Sequence, residues 1–361
     1  MKNIAIDVHT IKTPIAKSPG FAKKGLSEFK LDILGLCAFG CRYCSSNTGN
    51  YLRIRREQFA DLTEQQTGKR TYPTEDPSLV FRWPEIIENM KAQLANKPKS
   101  FGQDKTLVFS MLTDGFSPLA LEQGITRQAL DLLVAKTSFR IRVLTKNAIV
   151  GSPEWIEYFQ QHSDRFVVGL SIGTDDDTWA QQIELGASLP SERIQATLNL
   201  QEAGISTFGM LCPLFPDMLD GDRLESLVET LQPNVLEHIW AEPFNNRQNW
   251  QVVRDGFRRQ SAAYRWFTEV YAEGNKQVWS AYATELYTRL IAKANAEGWA
   301  DKLRYLLYES DVTLGDAIAF DGLNGVLLQS IDKDSGYSKH PVFGMMQKMD
   351  EVIAKTAFTG A

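Results

Sequence analysis

The sequence predicts an α/β fold built on a parallel sheet. From residue 106 onward, apolar periodicity switches repeatedly between continuous or twofold runs and a 3.6-residue repeat, the signature of alternating strands and helices. Six strand-like runs, counting one at 28–34, recur at regular intervals with helical runs between them. The strand-to-helix loops are short and carry Ser, Thr and Asp at the strand ends, the edge where barrel-type α/β folds collect functional side chains.

In order along the chain, residues 1–27 are lysine-rich with Asp7 as the acid; an extended arm or short strand over 4–8 leads into a loop marked by Pro14, Pro19 and Gly20. They form an N-terminal arm, read either as a solvated leader or as lysines 12–24 laid across the mouth of a site. The first strand follows at 28–34. Residues 57–66 can be helical, 68–78 are a polar insertion with two prolines, and a helix is expected over 83–94. Strands at 106–112, 140–145, 165–172, 206–211 and 235–241 then alternate with helices at 126–135, 153–159, 191–203 and 222–230. Ser191 is the expected N-cap of the third of these helices. Beyond Phe244 the pattern changes to helices at 261–271 and 278–296 with strand-like pieces at 302–308 and 325–331. The expected domains are therefore the arm, a barrel-like body over 28–245, and a C-terminal helical or α+β extension over 246–361 that packs on the body.

Composition narrows the function classes. A chain of 361 residues that is 43% hydrophobic can bury one large core or two modest ones. No apolar run approaches the ~20 residues a membrane span requires, and the first residues lack the apolar stretch of a secretory signal. The net charge of −5 argues mildly against nucleic acid, whose phosphates demand an excess of Lys and Arg. The most basic short patch is Tyr51 with Arg53, Arg55 and Arg56. It suits phosphate or base contacts, but the preferred reading is a solvated helix start packing its aliphatic stems.

Three of the four cysteines stand at Cys37, Cys41 and Cys44, spaced C-x3-C-x2-C. Structural zinc takes four ligands and usually adds a second Cys or His pair, but the next candidates here are His162 and Cys212. Three thiolates in a tight loop suit a [4Fe-4S] cluster with one iron left open, while zinc or a group of reactive thiols stay as alternatives. Oxygen-sensitive thiolates with no disulfide framework point to a reducing cytoplasm.

This loop, directly after the 28–34 strand and with Tyr43 before its last cysteine, resembles the signature of the radical S-adenosylmethionine superfamily. The resemblance implies a partial (β/α)6 barrel of TIM type, open on one side. It also implies one [4Fe-4S] cluster on Cys37, Cys41 and Cys44, and S-adenosylmethionine as the second cofactor. The reduced cluster would cleave it to a 5'-deoxyadenosyl radical, with an electron from a flavodoxin or ferredoxin.

Four further stretches resemble the branch that includes spore photoproduct lyase and its uncharacterised relatives. They are Thr113-Asp114-Gly115-Phe116-Ser117-Pro118, like T-D-x-Y-x-P, and Leu144-Thr145-Lys146, like T-K-S/N. The third joins Ser171-Ile172-Gly173-Thr174 to Glu184-Leu185-Gly186-Ala187 and Pro190-x2-Arg193, and the fourth is Pro213-x2-Pro216. By that resemblance Thr113 and Asp114 meet the methionyl amine, and Lys146 and Ser171 approach its carboxylate and the ribose. Glu184 and Arg193 pair with the cofactor or with each other. The likeness also has a gap. Spore photoproduct lyase carries a hydrogen-donating cysteine beside the second-strand loop, and residues 109–117 have none here. Cys212, at the end of the fifth strand, is either such a donor or an inert core thiol.

In the sixth strand, twofold alternation puts His238, Trp240 and Glu242 on one face. If that face lines a lumen, His238 and Trp240 can orient a substrate. The run at 175–177 of three aspartates reads as a solvated face or helix cap, not a metal site. The reading as a whole is a radical S-adenosylmethionine enzyme acting on a peptide or small molecule. A nucleobase or nucleic-acid substrate is the second choice, and a non-enzymatic metal-holding interaction protein the third.

Overall fold

The computed structural model describes residues 3–9, 11–48, 56–246 and 248–359. Its main sheet is parallel from β3 (Phe29–Leu31) through β6 (Thr106–Phe109), β7 (Arg140–Thr145), β8 (Phe166–Ser171), β9 (Thr207–Leu214) and β10 (Ile239–Pro243). The ladder does not stop at the sixth of these strands. β11 (Leu303–Tyr308) pairs parallel with β10, and β12 (Gly325–Leu328) pairs parallel with β11. The strand-like pieces after residue 300 are thus members of the same sheet. At the other edge, β2 (Ala16–Lys17) runs antiparallel to β3. A small second sheet orders β1 (Ile4–Asp7), β5 (Leu79–Arg82) and β4 (Leu34–Leu36).

The run expected as one strand at 28–34 is broken into β3 and β4, which belong to different sheets. Asp32 lies at the break. Its carboxylate leaves the ladder direction to accept the backbone N–H groups of Leu112 at 2.8 Å and Thr113 at 3.0 Å. The chain thereby turns toward the cysteines and fixes the loop after β6 in the same stroke.

The two faces of the parallel sheet are buried differently. Ile141, Val143, Val168 and Leu170 point to the helix-covered face and its large core. The alternate positions Val108, Leu144, Val167, Phe208, Met210, Trp240 and Leu306 form a separate core on the opposite face. That second core is completed by the N-terminal arm. Leu26 is buried in it and Phe21 packs against it, while Trp240 Nε1 donates to the Lys24 carbonyl at 2.9 Å. Arg142 donates to the carbonyls of Leu26 and, at 3.4 Å, Gly25. This part of the arm is neither a solvated leader nor a cover for the mouth. It is a plug, because an apolar sheet face without helices needs a partner to leave water.

Two local expectations change. Ser191 is not the N-cap of its helix. Helix Pro190–Glu202 starts from Leu189, with Pro190 in its first turn, and Ser191 Oγ donates instead to Asp177 at 2.6 Å. The sixth strand begins at Ile239 instead of 235, since 232–235 form a turn closed by the Val235 N–H to the Gln232 carbonyl. The 175–177 run does cap a helix: Asp176 accepts the Trp179 N–H at 2.9 Å, and Asp175 pairs with Arg223.

Candidate active site

Side chains from the loop after β4 and from the C-terminal ends of β6, β7, β8, β9 and β10 line one cleft of about 1000 Å³, open to solvent. β6 and β10 are four strand spacings apart, roughly 19 Å along a flat sheet. For their ends to share a cleft the sheet must curl, and the result is a partial barrel. The plug beneath it closes the floor at the level of Leu144 and Met210.

The cysteine loop forms one wall. Cys37, Cys41, Cys44, Phe39 and Tyr43 all border the cleft. Gly40 takes φ +56°, and a Cβ there would stand 2.6 Å from the Pro73 carbonyl oxygen, so this turn requires glycine. Ser117 Oγ accepts the Ala38 N–H at 3.3 Å, and Cys44 N–H closes onto the Cys41 carbonyl at 3.1 Å. All four cysteines of the chain are thiols, none of them in a disulfide. Burial pushes the Cys37 thiol up to about 12, with Asp114 and Cys44 adding to it. Burial, then Glu184, lifts Cys41 well above its ordinary value. Such thiols ionise when a cation takes the proton's place, as a metal centre does.

Among the described residues no three His, Cys, Asp or Glu side chains converge closely enough to hold a metal ion as they stand. The donor chemistry nevertheless fits an iron-sulfur centre. Three soft sulfur ligands share one wall of an open cleft, and Cys37 and Cys41 each sense the charge of Cys44.

The facing shelf is built from strand ends. Asp114, buried in the loop after β6, accepts the Lys146 N–H at 2.7 Å, the Phe116 N–H at 2.9 Å and the Thr145 hydroxyl at 2.9 and 3.0 Å. Burial lifts its carboxyl to about 6, against these hydrogen bonds. Thr113 spends its hydroxyl proton on the Leu34 carbonyl at 3.2 Å, so it tethers the loop while lining the cleft. Lys146 Nζ donates to Ser171 Oγ, and Ser171 Oγ in turn lies 3.1 Å from the Cys212 carbonyl. The ammonium is 3.6 Å from Glu184 and 5.4 Å from the centre of the Tyr43 ring.

Glu184 and Arg193 pair with each other, the guanidinium fully buried and also donating to the Ser171 carbonyl. Burial alone would raise the Glu184 carboxyl, but Arg193 and Lys146 outweigh it and hold Glu184 below the usual carboxylate range. Cys212, Glu242 and Asn245, from β9, β10 and the loop after it, also line the cleft. Burial, then Glu242, raises the Cys212 thiol well above normal, and its Sγ lies 3.6 Å from the Trp240 carbonyl.

The structure brings Cys37, Cys41, Cys44, Thr113, Asp114, Lys146, Ser171 and Cys212 to this cleft. It does not bring His238 or Trp240. Trp240 is fully buried in the core against the plug. His238 precedes β10 at the opposite end of the barrel, where burial and the charges of Arg304 and Arg142 lower its pKa. Strand alternation gave the right face but not the right height, and only Glu242 on that face is high enough. Arg53 and Arg55 lie outside the described residues, and Arg56 opens helix Arg56–Thr67. Lys24, last of the arm lysines considered for the mouth of a site, donates to Tyr308 Oη at 3.1 Å, and although burial opposes its charge, Glu242 and Tyr308 raise its pKa.

No family model matches the chain. An uncharacterised protein of Methanocaldococcus jannaschii is 25% identical over 138 residues, 38% of this chain and 50% of that protein, so the chain spans about half the length of the curated relative it matches. By overall fold the chain is similar to spore photoproduct lyase. A mutant of that lyase with bound AdoMet and dinucleoside spore photoproduct aligns at TM-score 0.45 and 13% identity, over 78% of each chain. Native anSMEcpe with bound AdoMet and Cp18Cys peptide aligns at TM-score 0.41 and 9% identity, over 76% of this chain and 63% of that one. Among the described residues, no helix is long and apolar enough to cross a membrane.

Proposed function

We propose that the protein is a radical S-adenosylmethionine enzyme. The observation that carries this reading is the convergence, on one cleft, of three cysteine thiols from a short loop and a cationic shelf made by Lys146 and Ser171. Cys37, Cys41 and Cys44 would hold a [4Fe-4S] cluster. When bound, that cluster supplies the electron that cleaves S-adenosylmethionine into methionine and a 5'-deoxyadenosyl radical. Lys146 meets the methionyl carboxylate as a charge-assisted donor, and Ser171 meets the ribose edge. Asp114 holds Lys146 by its backbone, and Thr113 anchors the loop that borders the methionyl amine. Once bound and cleaved, S-adenosylmethionine would supply a 5'-deoxyadenosyl radical able to abstract hydrogen from a substrate C–H bond, in a cleft floored by Leu144 and Met210 with the arm packed beneath them. The electron enters from a flavodoxin- or ferredoxin-type donor.

A peptide or small molecule is the favoured substrate. The net charge of −5 and the closed floor support a compact ligand over a long polyanion. Anaerobic reconstitution followed by dithionite reduction tests the assignment. Expected are about four iron and four sulfide per chain and slow release of 5'-deoxyadenosine from S-adenosylmethionine. Stoichiometric zinc without iron would replace this reading with a metal-holding interaction protein. Sub-micromolar, steeply salt-dependent binding of a labelled 20-mer DNA would move a nucleic-acid substrate to first place.

A further inference from the structure

Resting on that reading, we infer that Glu184 is a positioning residue that holds the cysteine loop and Lys146 at a set spacing across the cleft. Its buried carboxylate takes donors from three separate elements. Tyr43 Oη reaches it from the cysteine loop, Lys146 Nζ from just beyond β7 at 3.6 Å, and Arg193 from helix Pro190–Glu202. One oxygen, Oε1, is common to Tyr43 and Lys146, which reach the cleft from two different segments, the cysteine loop and the end of β7. Arg193 takes the other oxygen and, through the Ser171 carbonyl, ties the same hub to the end of β8.

The backbone around Glu184 repeats these ties. The Arg42 N–H donates to the Ile183 carbonyl at 2.8 Å, and the Gly186 N–H to the Phe39 carbonyl at 2.9 Å. A Cβ on Gly186 would stand 2.4 Å from the Ala38 carbonyl oxygen, so the strap formed by residues 183–188 and the cysteine loop touch backbone to backbone. On its other side the strap meets β7's exit. Ser188 N–H donates to the Lys146 carbonyl at 3.2 Å, and Ser188 Oγ accepts the Ala148 N–H at 2.9 Å. Residues 183–188 thus bridge the wall that carries the thiols and the shelf that carries the ammonium, with Glu184 at the centre. A buried carboxylate that accepts from Arg, Lys and Tyr together has one low-energy placement, and it transmits that placement to all three. A neutral amide of the same shape keeps the volume but loses the charge that gathers the donors.

Backbone hydrogen exchange reads this directly, with or without a cluster. In the full chain, Glu184→Gln is expected to speed exchange of the Arg42 and Gly186 amides at least tenfold. The strand amides of Val168 and Gly209, bonded to Ser206 and His238 carbonyls, keep their rates. Tyr43→Phe removes one donor and spares the Arg193 pair, and should speed the Arg42 amide alone by a smaller factor. In reconstituted protein, Glu184→Gln should also weaken S-adenosylmethionine binding at least tenfold while iron content is retained. Unchanged exchange at Arg42 and Gly186 would overturn the proposal, as would equal acceleration of the strand amides, which marks a merely structural pair. If Glu184→Gln does not fold, Tyr43→Phe decides alone: no change at Arg42 rejects the hub. Wild-type protein without iron would sink the functional reading and leave the exchange result standing.

Discussion

Asp114 and Thr145 are joined at both carboxylate oxygens, with the threonine hydroxyl 2.9 Å from Oδ1 and 3.0 Å from Oδ2. The bond locks the loop after β6 onto the end of β7, and the same carboxylate takes the next backbone N–H, that of Lys146. Replacing Asp114 by Ala strands these buried donors, each at about 1–3 kcal/mol. Asp114→Ala is therefore expected to lower the denaturant midpoint clearly and to weaken S-adenosylmethionine binding by displacing Lys146. Urea titration and anaerobic calorimetry on the same variant check the two effects.

The cysteines divide into two classes. Cys37→Ala, Cys41→Ala and Cys44→Ala should each lose the intact cluster, measured as iron and sulfide and as absorbance near ~400 nm. Cys212→Ala should retain it, because Cys212 comes from β9 and not from the cysteine loop, and its thiol is directed at the Trp240 carbonyl.

Lys146→Ala removes an ammonium that borders the cleft beside the cysteine loop. The loss of a charge-assisted bond costs ~1–3 kcal/mol, or roughly 5- to 150-fold in Kd. Calorimetry with reconstituted, oxidised protein should show this weakening with little change in thermal midpoint, since Lys146 is not in the core. Unaltered affinity would assign Lys146 to bracing Ser171 and Glu184.

Trp240→Ala should act on stability before chemistry. The side chain is fully buried between the sheet and the plug, and truncating such a residue costs ~3–5 kcal/mol. A drop of that size in unfolding free energy, with iron binding intact in the folded fraction, is the expected result. His238→Ala, at the opposite barrel end, should change neither cofactor affinity nor 5'-deoxyadenosine release.

Asp217 gives a pH signature well away from the cysteines. Its side chain is 9% exposed, accepts the Thr174 hydroxyl at 2.6 Å and pairs with Arg223 at 3.3 Å. Burial still lifts it from 3.8 to about 6. With the folded value above the unfolded one, the native state holds the proton more tightly, so this group's contribution is full below pH ~4 and is lost as pH rises through ~6. The difference, about 2 pH units, is on the order of 3 kcal/mol. Asp217→Asn should therefore gain stability relative to wild type between pH 4 and pH 7, as read by urea midpoints at both ends.

Much of this architecture was legible before any coordinates. The 3.6 and twofold periods place β6 to β9 and their helices within a few residues, because a parallel strand buried on both faces is apolar along its length and announces itself locally. The cysteine triplet and the hydroxyl-bearing strand ends were legible for the same reason. Metal-donor spacing and turn chemistry are properties of short stretches.

What the sequence determined on its own is the class of fold and the chemical inventory: strands ending in Thr113-Asp114, Thr145-Lys146 and Ser171, a loop of three thiols, and an acid and an arginine at 184 and 193. Tertiary structure decided which of these meet. It set Glu184 against Tyr43, Lys146 and Arg193, sent His238 to the wrong end of its strand for the cleft, and turned the lysine-rich arm into the floor of the barrel. These outcomes depend on contacts between residues 9 to more than 200 positions apart. Their energies come from burial and charge pairing across the closed fold, and local periodicity carries no record of either.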